Sequence, residues 1–102
     1  KKDVVHSMEV FYYFKDPLVV LKNIYNNWLK DEGRFIMGID FYYENKASHN
    51  WPEKTNVDTM TLLSIQEWKS IVNKAGFKNI ESWREGEKNE WKGTLIISAT
   101  KN

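Results

Sequence analysis

Three groups of residues in this 102-residue chain have the types and spacing to do chemistry. The first is Ser7-Met8-Glu9, where the apolar run that begins at Val4-Val5 gives way to polar groups. Asp3 to Val10 reads as a strand and the turn at its carboxyl end, and Val4, Val5, Ser7 and Met8 suit a strand covered on both faces. In open α/β sheets ligands sit outside the carboxyl ends of such strands, so Ser7, Met8 and Glu9 stand at the mouth of a site. The second group is aromatic. Tyr12, Tyr13, Tyr42, Tyr43 and Trp51 could together line a pocket, because aromatic faces suit apolar or cationic ligands. Any one of them alone is more readily core or loop packing. The third is His49, the one histidine of a long loop, which could act as general base toward an acceptor hydroxyl or amine. A lone loop histidine is more often a solvated bystander.

Composition removes several classes of chemistry. There is no cysteine, which excludes disulfides, thiolate nucleophiles and Cys-based metal sites. His6 falls inside the first strand and reads as a core residue. Two histidines far from any pattern of carboxylates make no metal site, so none is expected. A net charge of +1, from 15 basic and 14 acidic residues well interspersed, argues against nucleic acid or an anionic membrane as partner. No run of about 18 apolar residues and no signal-peptide pattern occurs, so a soluble, cytoplasmic protein is the default. The chain starts on Lys1-Lys2 with a strand almost at once and no initiator Met, which suggests residues upstream.

These candidate groups need elements to position them. Asp16 is a good N-cap and Pro17 suits the first helical position. Leu18, Leu21, Ile24, Tyr25 and Trp28 then follow at i, i+3, i+4 spacing, which predicts a helix over 17–30 that Gly33 stops or turns. Phe35 to Ile39 is a second buried strand, and the β-α-β unit so formed is parallel. Residues 41–63 lack periodicity and read as a long loop or lid. Ser64-Ile65-Gln66-Glu67 is a capping box, opening a helix that runs to Ala75 and closes at Gly76. Phe77 to Arg84 is polar enough for an edge strand. After a charged loop, Thr94 to Thr100 is an interior strand paired antiparallel, because the connection is too short for a crossover. Trp28 and Trp68 fall on core faces, and Trp83 and Trp91 could cover a sheet edge. The expectation is one α/β domain over 1–102, ordered β-α-β-loop-α-β-β, with three parallel strands plus one antiparallel.

These motifs, in this order, resemble the C-terminal half of a class I S-adenosylmethionine-dependent methyltransferase of the small-molecule type. Asp3-Val4-Val5-His6-Ser7-Met8-Glu9-Val10 is similar to that family's fourth strand and following turn, and Phe14-Lys15-Asp16-Pro17 to the start of the next helix. Leu29 to Phe35 resembles the "LKPGG" turn into strand five, with Asp31 and Glu32 where Pro and Gly are usual. Ser64 to Trp68 with Ala75-Gly76-Phe77 is similar to a later helix and strand six. The resemblance implies a partial Rossmann-like methyltransferase sheet with flanking helices, S-adenosylmethionine as cofactor and a small-molecule substrate. It puts Ser7, Met8 and Glu9 against the cofactor. Tyr12 and Tyr13 stand where the family often has a Glu-His pair. Ser7-Met8-Glu9-Val10 lacks the [DNS]-P-P-[YF] signature of base-modifying amino-methyltransferases, which counts against a nucleobase or amide acceptor.

The family's glycine-rich cofactor turn has no counterpart among Gly33, Gly38, Gly76, Gly86 and Gly93, so the chain carries at most one wall of a cofactor site and is expected to be inactive alone. Its first strand lacks the neighbour it would normally pair with, which predicts a homo-oligomer through strand 3–8. Two other readings compete. One is a non-catalytic interaction or dimerisation module that kept the half-fold. The other, an aromatic RNA-stacking sheet, has no basic-aromatic motif behind it.

Overall fold

A computed structural model describes residues 2–8, 10–49, 51, 60–87 and 92–101 of the chain. Its strands are β1 (Lys2–Met8), β2 (Leu29–Ile39), β3 (Lys78–Glu85) and β4 (Thr94–Thr100), and its helices are α1 (Pro17–Asn23) and α2 (Ile65–Lys74). The sheet order is β1-β2-β4-β3. β1 pairs parallel with β2, β4 pairs antiparallel with β2, and β3 pairs antiparallel with β4. β1, β2 and β3 therefore share one direction and β4 opposes them, as the sequence predicts. β4 lies inside the sheet and β3 forms an edge, also as expected.

Strand alternation assigns the two faces. Phe35, Met37 and Ile39 of β2 lie in register with Ala99, Ile97 and Leu95 of β4, and all six are buried beneath the helices. The core there is largely aromatic. Phe14, Phe11, Phe35, Phe77 and Tyr25 form a continuous run of ring contacts at 5.1 to 5.5 Å, mostly edge to face, a geometry that adds to simple burial. Most of the unusual aromatic content is thus accounted for as core.

The opposite face has no helix over it among the described residues. Val4 and Met8 of β1 and Trp83 of β3 are exposed there, and Ile36 and Ile96 are half-buried. This corrects the expectation that β1 is covered on both faces. It also corrects His6, which is exposed on that face beside Ile36 and is no core residue. The apolar runs of β1, β2 and β4 do encode burial on two faces, but the described residues cover only one.

The first helix departs from its expected span in an instructive way. Asp16 caps it by accepting from Val19 N–H, with Pro17 at its first position. After Asn23 the backbone widens into a π-type turn over Ile24–Trp28, in which Leu29 N–H donates to the Ile24 carbonyl five residues back. The extra residue shifts the phase of the apolar face, so Leu21, Ile24 and Leu29 are buried while Trp28 is 51 % exposed. Trp28 is therefore not core. Trp68 is, as expected. Gly33 stops no helix: β2 already starts at Leu29 and carries Gly33 within it. The capping box of α2 is present in full, with Glu67 N–H donating to Ser64 Oγ and Ser64 N–H donating to Glu67 Oε1. Trp91 lies outside the described residues.

Candidate functional site

β1 and β2 end side by side, with Ser7 opposite Met37 and Met8 opposite Gly38. The turns that follow them carry the candidate residues. After β1, Phe11–Tyr13 forms one turn of 3₁₀-helix, closed by Phe14 N–H donating to the Phe11 carbonyl. After β2 the chain runs through Asp40 to a second 3₁₀ turn at Lys46–Ser48.

Ser7 and Met8 are adjacent in sequence and point to opposite faces of the sheet. Ser7 is half-buried on the helix side, where it borders an apolar cavity of about 220 Å³ with Val5, Phe11, Val20, Ile24 and Trp28. Met8 lies on the uncovered face across Gly38. The structure thus does not bring their side chains together, because the period of a strand is two. Glu9 lies outside the described residues.

The aromatic candidates divide into two sets. Tyr13, Tyr12, Phe41 and Trp51 form a chain of rings at 4.6, 5.5 and 6.3 Å, with Phe41 and Trp51 stacked. Tyr12 and Phe41 are buried, Trp51 is half-buried and Tyr13 is 44 % exposed, so this set runs from core to surface. Tyr43 is 57 % exposed and its ring lies 5.6 Å from the His49 imidazole. His49 Nε2 is 2.7 Å from the Tyr43 carbonyl. A carbonyl only accepts, so this contact assigns the proton of the neutral ring to Nε2 and leaves the lone pair on Nδ1. That is the form in which an imidazole can take a proton.

Tyr42 differs from the other four. It is fully buried, and its hydroxyl donates to the Gly93 carbonyl at 2.8 Å, with the Lys92 carbonyl at 3.1 Å. Burial pushes its phenol above the ordinary 10.0, opposed by a hydrogen bond to Arg84 and by that residue's charge. The structure gives Tyr42 a packing position between the loop after β2 and the start of β4, and leaves Tyr13 and Tyr43 as the most exposed rings of the group.

Sequence reasoning missed the polar frame behind these rings. Asn45 is fully buried; its Nδ2 donates to the Asp40 carbonyl and its Oδ1 accepts from Lys92 N–H. Its own carbonyl accepts from both N–H and Oγ of buried Ser48. Asp40 Oδ1 accepts from Thr94 Oγ1 at 2.6 Å. Thr61 was missed as well: its N–H donates to the Tyr12 carbonyl and its Oγ1 to the Phe14 carbonyl. The sequence signal was only the abundance of Asn, Ser and Thr, residues that bond to nearby backbone in turns. Among the described residues no group of three metal-ligating side chains occurs, and no helix is long and apolar enough to cross a membrane.

A family model described as a methyltransferase domain matches residues 1–82. No curated protein matches the chain significantly. Solved structures do. A chain from the complex between the Haloferax volcanii Trm112 methyltransferase activator and a methyltransferase superposes with a TM-score of 0.81 at 28 % identity, over 96 % of this chain and 53 % of that one. A SAM-dependent methyltransferase from Thermotoga maritima gives 0.74 at 21 % identity, over 98 % and 56 %. PigF with SAH gives 0.77 at 20 %, over 98 % and 30 %. The last two likenesses bear on the fold alone. This chain spans about half the length of its solved relatives, or less.

Proposed function

The chain belongs to the methyltransferase domain family, and from that premise we propose that it supplies the acceptor-side half of an S-adenosylmethionine-dependent methyltransferase acting on a small organic molecule. The observation that carries this reading is the crossover from β1 through α1 to β2. Its two parallel strands end together, and Ser7, Met8, Tyr12, Tyr13, Tyr42, Tyr43, His49 and Trp51 all lie at those ends or on the turns that follow.

Bound S-adenosylmethionine supplies a sulfonium methyl group open to in-line displacement by the acceptor. The residues present fit one side of such a site. Ser7 offers a hydroxyl at the strand end beside an apolar cavity, and Met8 offers a thioether on the other face. The exposed rings of Tyr13 and of Tyr43 each offer flat surface on which an acceptor can lie and be oriented, which is the main demand of the reaction. His49 is the candidate base, with Nδ1 as the atom that takes the acceptor's proton. The five glycines are scattered over strands and turns and form no cradle for the cofactor. The cofactor's remaining contacts come from a segment outside this chain, and the chain alone is inactive.

Calorimetric titration with S-adenosylhomocysteine tests this. The 102-residue chain is expected to show no saturable binding, and a version extended upstream by a glycine-rich strand-turn-helix is expected to bind. Absence of binding by the extended protein would overturn the reading.

Among the described residues one sheet face is uncovered and β1 is an edge strand, which favours a second reading, an interaction module. An unpaired strand edge seeks another strand, and in isolation a second copy joined through residues 3–8 would satisfy it. Light scattering is expected to show assembly that grows with concentration. A stable monomer at high concentration excludes it.

A further inference from the structure

The cavity of about 220 Å³ beside Ser7 adjoins the outer edge of the sheet, because Val5 and Ser7 of β1 line it and β1 is an edge strand among the described residues. Phe11, Phe14, Val20, Ile24 and Trp28 supply most of its other walls. It is no sealed part of the core. Val10 and Trp28, both on its rim, are 42 % and 51 % exposed. Trp28 stands there because the π-type turn moves it out of the buried phase of the helix. An open strand edge and an apolar cavity thus form one surface.

Whatever pairs with that edge must bring matching strand groups and apolar side chains with it. A second copy of β1 does both. Antiparallel pairing about a twofold axis normal to the sheet keeps the two helix layers on one side, with opposed residues sharing a face. β1 has seven residues, Lys2–Met8, and Val5 is its centre. A register centred on Val5 pairs the whole strand. It sets Val5 against Val5, Val4 against His6, Asp3 against Ser7 and Lys2 against Met8, so no like charges meet. Registers centred on Val4 or on His6 pair only residues 2–6 or 4–8, and they set Lys2 against His6 or His6 against His6. Direction matters as well. Trp28 stands near the start of β1, since its neighbour Leu29 pairs with Lys2, whereas Val10 and Phe14 follow its end. Antiparallel pairing therefore brings each Trp28 to the Val10 and Phe14 wall of the other copy's cavity.

We propose that two copies of this chain join antiparallel through β1, in the register centred on Val5, with Trp28 of each closing the cavity of the other. The product is one continuous sheet of eight strands in the order β3-β4-β2-β1-β1-β2-β4-β3. This deepens the interaction-module reading above and rests on it.

The chain has no native cysteine, so single cysteines report the register directly. Val5→Cys sets two thiols beside the axis with Cβ atoms about 5 Å apart, close to disulfide reach. Mild oxidation is expected to link it into a covalent dimer. Ser7→Cys, whose two copies stand about 13 Å apart in this register, should not link. Sedimentation of the 102-residue chain should show a concentration-dependent dimer, and Trp28→Lys should raise its dissociation constant about tenfold or more. Trp83→Lys, on the other face of the sheet, should leave that constant unchanged. Both rings are exposed, so neither substitution opens the core. Readier linking of Val4→Cys or His6→Cys than of Val5→Cys, or equal dissociation constants for the two tryptophan variants, would overturn this arrangement and leave the interaction-module reading standing. A chain that stays monomeric overturns both.

Discussion

Met8 fills the space that a side chain at position 38 would need: a Cβ built on Gly38 stands 2.6 Å from both the sulfur and the terminal methyl of Met8. The two residues pair across β1 and β2, so the glycine lets a flexible thioether lie flat on the uncovered face. Gly33, on the same strand, faces backbone instead. Its Cβ would stand 2.8 Å from the Lys30 carbonyl oxygen and 3.0 Å from that of Asp3. We expect Gly38→Ala to cost about 1 kcal/mol, since Met8 can swing away, and Gly33→Ala to cost about 3 kcal/mol, since carbonyls cannot. Urea unfolding midpoints check the order. A larger loss for Gly38→Ala would contradict the account of Met8.

Tyr42 supplies a pH test. Its phenol is raised by burial, so the neutral form is favoured by folding. The stability this contributes is fully present below the free phenol's range, near pH 10, and is lost as pH climbs through the raised folded value. Wild-type stability should therefore fall above about pH 10 more steeply than that of Tyr42→Phe. At neutral pH the same substitution should cost about 1 kcal/mol, for the hydroxyl bond to the Gly93 carbonyl. Parallel pH profiles for the two proteins would show that Tyr42 is not the group responsible.

Lys101 is almost wholly buried at the other end of β2. Its Nζ donates to the Leu29 carbonyl at 3.1 Å and lies 5.0 Å from the Tyr25 ring centre. Its backbone is tied to Gly33 and Glu32. Asp31 stands 4.0 Å from Nζ but its side chain is open to solvent, so that ion pair is screened. Lys101→Met should cost about 2 kcal/mol through the lost charge-assisted bond, and Asp31→Asn about 0.5 kcal/mol or less. Thermal unfolding at low and high salt checks this. A strong salt dependence in wild type that Asp31→Asn removes would reverse the weighting of the two contacts.

The sheet was legible because its information is local. The apolar runs at Phe35–Ile39 and Thr94–Thr100, the Asp16-Pro17 start and the Ser64–Glu67 box each carry their own physical signal, and each formed the expected element. The π-type turn was not legible. Leu18 to Trp28 keeps α-helical spacing, and it is Leu29, with the burial of Ile24, that draws one extra residue into the turn and expels Trp28. The exposure of His6 escaped for another reason: a strand pattern encodes how many faces are to be covered, and does not say whether this chain supplies the cover. The two hydrogen bonds of Thr61 were invisible because its partners are carbonyls 47 and 49 residues away, which no side-chain pattern reports.

His49 carries the last prediction. Its Nε2 proton is committed to the Tyr43 carbonyl, so Nδ1 is the nitrogen with a free lone pair in the neutral ring. Nitrogen-15 NMR of the chain at a pH where the imidazole is neutral should show the Nε2–H tautomer. Once the cofactor side is complete, His49→Gln should lower kcat by about 10²-fold or more if the acceptor must lose a proton, while S-adenosylhomocysteine affinity stays unchanged. Dominance of the Nδ1–H tautomer would break the link to Tyr43. Unaltered kcat in His49→Gln would return the residue to the solvated loop and leave the aromatic rings to orient an acceptor that needs no base.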